Sequence, residues 1–253
     1  MKGLLFVAAI LSIVAVAGAP AFAGFLFLDD FNTQIDPAIW TQVTPASPLT
    51  WDGSKDCSGS GTSGSAKTTL SISRMWHGLG TNISAGFIAS WCIYDDTLTR
   101  PYAEVESRAG GVYSGALSQL FAAGKYSSVT MAGEVYDGNY YQGRLLYPSA
   151  SGGWFNLKSA NAPKRSAGWH KFAIERTWDG TLNYYVDNIL CRSFTGATAA
   201  DINVVTVGFG TTSTSNGNAW FDCVRVYVPE PGSLLALGTG ILGFFGFVRR
   251  RKA

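Results

Sequence analysis

Histidine, cysteine and charge are all scarce in this chain. There are 2 His and 4 Cys in 253 residues, and only 14% of side chains are charged. With so few ligands and no Cys-x-x-Cys pair, the chain is a poor match to a zinc site. Phosphate-binding loops, dinucleotide fingerprints and a Gly-x-Ser-x-Gly nucleophile turn are also missing, so nucleotide chemistry and the common serine-hydrolase elbow have no support. Once the five cations and one acid of the two ends are set aside, residues 24–229 hold 14 positive and 16 negative side chains. A middle so close to neutral has no electrostatic footprint for nucleic acid. Between residues 24 and 228 there is no helical periodicity, and no internal repeat.

What the chain does have is an unusual pair of ends. Residues 1–23 read as a signal peptide: Lys2, an apolar run from Leu4 to Val16, and Ala21-Phe22-Ala23 before Gly24, an A-x-A cleavage site. At the other end, residues 229–253 run Pro229-Glu230-Pro231-Gly232, an apolar stretch from Leu234 to Val248, then Arg249-Arg250-Arg251-Lys252-Ala253. Fifteen helical residues span roughly 22 Å, short of a ~30 Å hydrocarbon core. Gly238, Gly240, Gly243 and Gly246 weaken the helix further. The basic run should remain cytoplasmic, which leaves the middle of the chain outside the inner membrane.

The order Pro-Glu-Pro, apolar helix, arginine cluster resembles the PEP-CTERM sorting signal of Gram-negative bacteria. That resemblance implies a membrane protease of the exosortase type as partner, transient anchoring through the C-terminal helix, and delivery to the surface or an exopolysaccharide (biofilm) matrix.

Residues 24–228 read as one all-β domain. Trp169-His170-Lys171-Phe172-Ala173-Ile174-Glu175-Arg176 alternates with period two, Asp179-Gly180 makes a turn, and 181–186 returns. Asp187-Asn188 supplies a second turn into 189–194. Further strands are predicted at 25–31, 66–73, 85–95, 101–107, 126–135, 139–147, 202–209 and 219–228. About a dozen strands suit a two-sheet sandwich. Gly168-Trp169-His170-Lys171-Phe172 followed by Tyr184-Tyr185-Val186-Asp187-Asn188 resembles the laminin-G/concanavalin-like jelly rolls, with Asn188 standing where Gly is usual. Asp29-Asp30-Phe31-Asn32 with Trp40, and Phe221-Asp222-Cys223-Val224-Arg225-Val226, are similar to that family's first and last strands, which commonly pair.

In an exported domain cysteines form disulfides. Four cysteines allow three pairings. If 66–73 and 85–95 are an antiparallel pair, Cys57 returns near Cys92, and Cys191 and Cys223 lie on late strands that would be neighbours. The expected bridges are Cys57–Cys92 and Cys191–Cys223.

Candidate chemistry centres on Glu104 and Glu106, which share a face if 101–107 is a strand. Laminarinase-like glycoside hydrolases share the jelly roll and carry acids at such alternate positions, so a polysaccharide-active enzyme is the alternative function. Arg108 occupies the next same-face position and should keep these acids ionised, which opposes a general acid. The leading expectation is therefore a structural or glycan-binding protein without enzymatic activity. His170 reads as a packed or hydrogen-bonded histidine rather than a triad base. Asp29, Asp30 and Asp222, on terminal strands, offer oxygen ligands for calcium, and Asp95-Asp96 open a loop. Trp76, Tyr136, Tyr140, Tyr141 and Trp154 are candidates for stacking on sugar rings.

Overall fold

The computed structural model describes residues 25–229, apart from 60, 62, 70, 71, 85, 128, 129, 131, 132, 148, 149 and 210–217. Residues Phe25–Val228 form one compact unit. Its strands are β1 (Phe25–Asp29), β2 (Thr41–Gln42), β3 (Thr50–Asp52), β4 (Ser65–Lys67), β5 (Arg74–Ile83), β6 (Phe87–Asp95), β7 (Pro101–Arg108) and β8 (Leu117–Gly124). They continue with β9 (Gln142–Tyr147), β10 (Ala150–Asn156), β11 (Gly168–Arg176), β12 (Leu182–Val186), β13 (Ile189–Phe194), β14 (Ile202–Phe209) and β15 (Trp220–Tyr227). A 3₁₀ turn, Ala109–Gly111, follows β7.

The strands build two antiparallel sheets of a jelly-roll sandwich. The first runs β13-β12-β11-β6-β15-β4-β3 with β1 also on β15, and the second runs β10-β9-β8-β7-β14-β5-β2. Alternate residues from both sheets meet in the main core. Phe87, Trp91, Phe121, Phe155, Phe172, Tyr184 and Phe221 are all buried there. Each such side chain contributes roughly 1.5–3 kcal/mol on leaving water. The first and last strands pair, Phe25 opposite Tyr227 and Asp29 opposite Val224. Asp187 and Asn188 take φ values of 50° and 64°. A two-residue turn with both residues left-handed matches strand twist, so Asn188 performs the role that Gly more often takes.

Three sequence expectations need correction. The predicted strand 66–73 is instead the short β4, and the chain then crosses to the other sheet as β5, which pairs with β14 and β2. No strand falls among the described residues of 126–135, and its place in the second sheet is taken by β8. The bridge Cys191–Cys223 does not form, and both cysteines carry free thiols. Cys191 is on β13 and Cys223 on β15, four strand steps apart in one sheet. At ~4.8 Å per step they are separated by roughly 19 Å, whereas a disulfide requires Cα atoms within about 7 Å. Cys57 and Cys92 are bridged, Cα to Cα 6.5 Å. The reason is not a β4–β6 hairpin. Asp222 of β15 stands opposite Cys92 of β6 and also accepts the Cys57 amide hydrogen at 2.8 Å.

Candidate functional site

Ala103 and Val105 point into the main core, so Tyr102, Glu104, Glu106 and Arg108 project from the outer face of the second sheet. Register sets their neighbours. Gly208 and Gly124 flank Tyr102, and Thr206 and Ala122 flank Glu104. Arg74 stands beyond Gly208, and Trp76 beyond Thr206, on β5. Glycine at 208 is required, because its φ is +128° and a Cβ would lie 2.2 Å from the Ser73 carbonyl oxygen.

Each acid is gripped by its own arginine. Arg74 Nη1 lies 3.1 Å from Glu104 Oε1, while its two amino groups donate to the hydroxyls of Tyr113 at 2.8 Å and Tyr102 at 2.9 Å. Arg108 donates through Nε to Glu106, and Thr206 Oγ1 donates to the other Glu106 oxygen at 2.7 Å. Tyr113, from the loop after the 3₁₀ turn, lies across both arginines, 4.3 Å from the Arg108 guanidinium, and stacks on Trp76. Glu104 is 2% exposed and Glu106 is not exposed at all.

Burial pushes the Glu104 carboxyl up to about 7; Arg74 opposes this and the hydrogen-bonded Glu106 adds to it. Arg108 therefore does not hold both acids ionised, as the sequence suggested, because it is committed to Glu106. The two carboxyls are in hydrogen-bonding contact. Retaining glycosidases hold their carboxyls about 5–5.5 Å apart, with the sugar between them. Arg74 and Tyr113 escaped the sequence reading, since only the strand order places them here.

Beside this pair opens a cavity of about 640 Å³, lined in part by Thr81, Asn82, Ser107, Arg108, Ser118 and Asn203. Its polar groups are fixed in place. Asn203 accepts the Arg108 amide hydrogen at 2.9 Å and donates to Asn82 Oδ1 at 2.7 Å. Arg108 Nη1 donates to the carbonyls of Tyr113 and Gly115 at 2.6 and 3.0 Å. Of the aromatic candidates, Tyr141 and Trp154 are buried, whereas Trp76, Tyr136 and Tyr140 keep partial exposure.

His170 sits between Ser166 Oγ at 3.1 Å and Asp187 Oδ2 at 2.8 Å. The Ser166 carbonyl oxygen is also 3.1 Å from the same Nε2. Both ring nitrogens thus face acceptors. Burial lowers the imidazole pKa, but Asp187 and the Ser166 carbonyl outweigh it and the net shift is upward. With both nitrogens engaged in this way, the ring ties Ser166 to Asp187.

Asp30 and Asp222 do approach each other, together with the Cys223 sulfur, within 4.8 Å. Asp29 does not join them, since it accepts from Trp40 Nε1 at 2.6 Å and from the Phe31 amide at 2.8 Å. Asp30 pairs with Arg225, and both Asp222 oxygens accept backbone hydrogens. A thiol between two engaged carboxylates fits calcium poorly, because calcium takes six to eight hard oxygens. Asp95 is held by Arg165, and Asp96 caps Leu98 and Thr99.

Ala21, Ala23, Gly24, Glu230, Pro231, Arg249, Arg250 and Arg251 lie outside the described residues. Among the described residues no helix is long and apolar enough to cross a membrane. Residues 228–252 match the PEP-CTERM protein-sorting motif. A search of curated proteins finds no match. Solved structures similar to this chain include the T. cruzi calreticulin globular domain, at 10% identity and TM-score 0.56, covering 85% of this chain and 91% of that one. A carbohydrate esterase of Shiga toxin-encoding bacteriophage phi24B is similar at 12% identity and TM-score 0.51, covering 82% of this chain and 100% of that one. A structure described with endo-acting O-glycanases of the human gut microbiota has 12% identity and TM-score 0.53, covering 82% and 100%. These likenesses show the fold. The sorting motif marks an exported protein that is sorted through an exosortase after transient anchoring in the membrane.

Proposed function

We propose that this chain is a surface or extracellular-matrix protein whose jelly-roll domain has a structural, glycan-binding role in exopolysaccharide. One contrast carries the reading. The acids Glu104 and Glu106 are sealed and gripped by arginines, while the adjoining cavity of about 640 Å³ is lined with amide, hydroxyl and guanidinium groups. Pre-organised groups of that kind suit saccharide hydroxyls. The glycan-related names among the similar folds are compatible with it. This reading assigns calcium no role, so millimolar calcium should leave the melting temperature unchanged.

A glycan array combined with reducing-sugar release from bacterial polysaccharides tests this. Binding without turnover, weakened about tenfold or more by Asn82→Ala, is the expected result. Absence of binding to every glycan would overturn the glycan part of the reading.

The second reading, a polysaccharide-active glycoside hydrolase, is favoured by one observation. Burial pushes the Glu104 carboxyl up to about 7, the range in which a hydrolase holds its general acid. Release of reducing ends that Glu104→Gln abolishes, with binding retained, would establish it. Processing is tested separately by mass spectrometry. The released form should begin at Gly24 and end near Pro229–Gly232, and Leu234–Ala253 still attached to all surface protein would sink the assignment of location.

A further inference from the structure

Three sulfurs, from β6, β15 and the stretch between β3 and β4, converge in a way that the Cys57–Cys92 bridge does not use. The sulfurs of Cys57, Cys92 and Cys223 all lie within 4.8 Å of one another. Cys57 and Cys92 are bridged and Cys223 is a free thiol. Cys223 sits on β15 where the register with β6 shifts between Asp222 and Arg225, and its φ is +51°. In a regular strand Asp222 and Cys223 would point to opposite faces. The bulge re-aims the thiol, and it joins the carboxylates of Asp222 and Asp30 as well as the disulfide. Asp222 also fixes both ends of a potential exchange. Its Oδ2 accepts the Cys57 amide at 2.8 Å and its Oδ1 accepts the Cys223 amide at 2.6 Å.

We propose that Cys57, Cys92 and Cys223 form an intramolecular thiol–disulfide exchange site, in which the bridge migrates from Cys57–Cys92 to Cys92–Cys223. The Cys223 thiol loses its proton to solvent and the thiolate attacks Cys92 Sγ. The Cys92–Cys223 bond forms as the Cys57–Cys92 bond breaks, and the electron pair leaves on Cys57 sulfur, which takes up a proton. One bridge and one thiol stand on each side of the step, so no oxidant or reductant is consumed. Cys92 is the shared sulfur because β6 and β15 are hydrogen-bonded neighbours there. Cys57 is the leaving group because it lies on the Gly- and Ser-rich stretch between β3 and β4. Migration therefore moves the free thiol from a strand to a surface loop, the position from which an external disulfide is captured.

The groups facing Cys223 set the pace. Burial, with Asp222 and Asp30 beside it, pushes the thiol up to about 12, and Arg225 acts in the opposite direction. Exchange is slow at neutral pH, and its rate follows the small thiolate fraction, rising about tenfold per pH unit.

The test uses the exported chain, made without reductant and carrying Cys191→Ala so that only the trio is read. It is held in mildly alkaline buffer, quenched with acid at intervals, alkylated, and mapped by mass spectrometry without reduction. A Cys92–Cys223 peptide should emerge while alkylation shifts from Cys223 to Cys57, with a rate independent of protein concentration. A label that stays on Cys223 at every time point, with Cys57–Cys92 the only bridge, would overturn the proposal. So would exchange whose rate scales with concentration, which means two molecules. Exported Cys57→Ser should carry a Cys92–Cys223 bridge, and two free thiols in a folded Cys57→Ser protein would count equally against it. Should that variant fail to fold, the time course decides alone.

Discussion

Asp187 holds His170 at one end of the β12–β13 turn: Oδ2 meets Nδ1 at 2.8 Å while Oδ1 accepts the Lys171 amide hydrogen at 2.8 Å. A residue forced into the left-handed region by the turn thus ties that turn to the neighbouring strand. The histidine pKa is raised above 6.5 and that of Asp187 is held below 3.8. The histidine contribution is complete below 6.5 and is lost as pH rises through its folded value. The aspartate contribution is present above 3.8 and is lost as pH falls through its folded value. Asp187→Ala should therefore cost about 1–2 kcal/mol between roughly pH 4 and 6.5, and less at pH 9, in denaturant titrations at each pH.

Glu104 gives a second pH signature with a different shape. Its folded pKa of about 7 is above the ordinary 4.5, so its contribution to stability is complete below 4.5 and is lost as pH rises through 7. Glu104→Gln should flatten the fall in melting temperature between pH 5 and 8. Glu106→Gln should do the opposite of a rescue, because it leaves the Arg108 cation without its partner. A loss of about 3 kcal/mol or more is expected at pH 7.

Gly208→Ala probes the floor of the same face. The added Cβ meets the Ser73 carbonyl at 2.2 Å with φ at +128°, beside the Arg74 backbone. Backbone cannot swing aside as a side-chain tip does. A destabilisation of about 2–4 kcal/mol is expected in urea titration. A folded but altered variant should also lose the depressed exposure of Glu104, which the pH profile reads.

Much of the first sheet was legible in the sequence because one of its faces is solvated. Trp169 to Arg176 alternates, and the turns at Asp179-Gly180 and Asp187-Asn188 punctuate it. The second sheet hid β8. Phe121 and Ala123 enter the main core, while Leu120 and Ala122 pack under Trp154 on the other face. A strand covered on both sides reads as an unbroken apolar run, and alanine adds no β preference. The Glu104/Glu106 pair was visible as spacing, but its arginine partner on β5 depended on strand order, which one sequence does not encode locally. The third sulfur was hidden for a similar reason, because nothing in Asp222-Cys223-Val224 announces a bulge.

Removing residues 25–29 should expose the edge of β15 that they cover and take Phe27 out of its contacts with Trp40 and His77. An unpaired edge of this kind recruits other chains. A markedly lower melting temperature and soluble aggregates on size-exclusion chromatography are expected. Melting at the temperature of the intact domain would show that the terminal pairing contributes nothing.

Tyr227 is paired on both sides, with Phe25 of β1 and with Ile88 of β6, and Pro229 follows only two residues later. Scission of the chain at or beyond Pro229 therefore leaves every inter-strand pairing among the described residues intact. The paired strands of residues 25–227 should therefore show the same melting temperature with and without residues 230–253. A record of such a cut would then be written in the new chain end and not in these sheets.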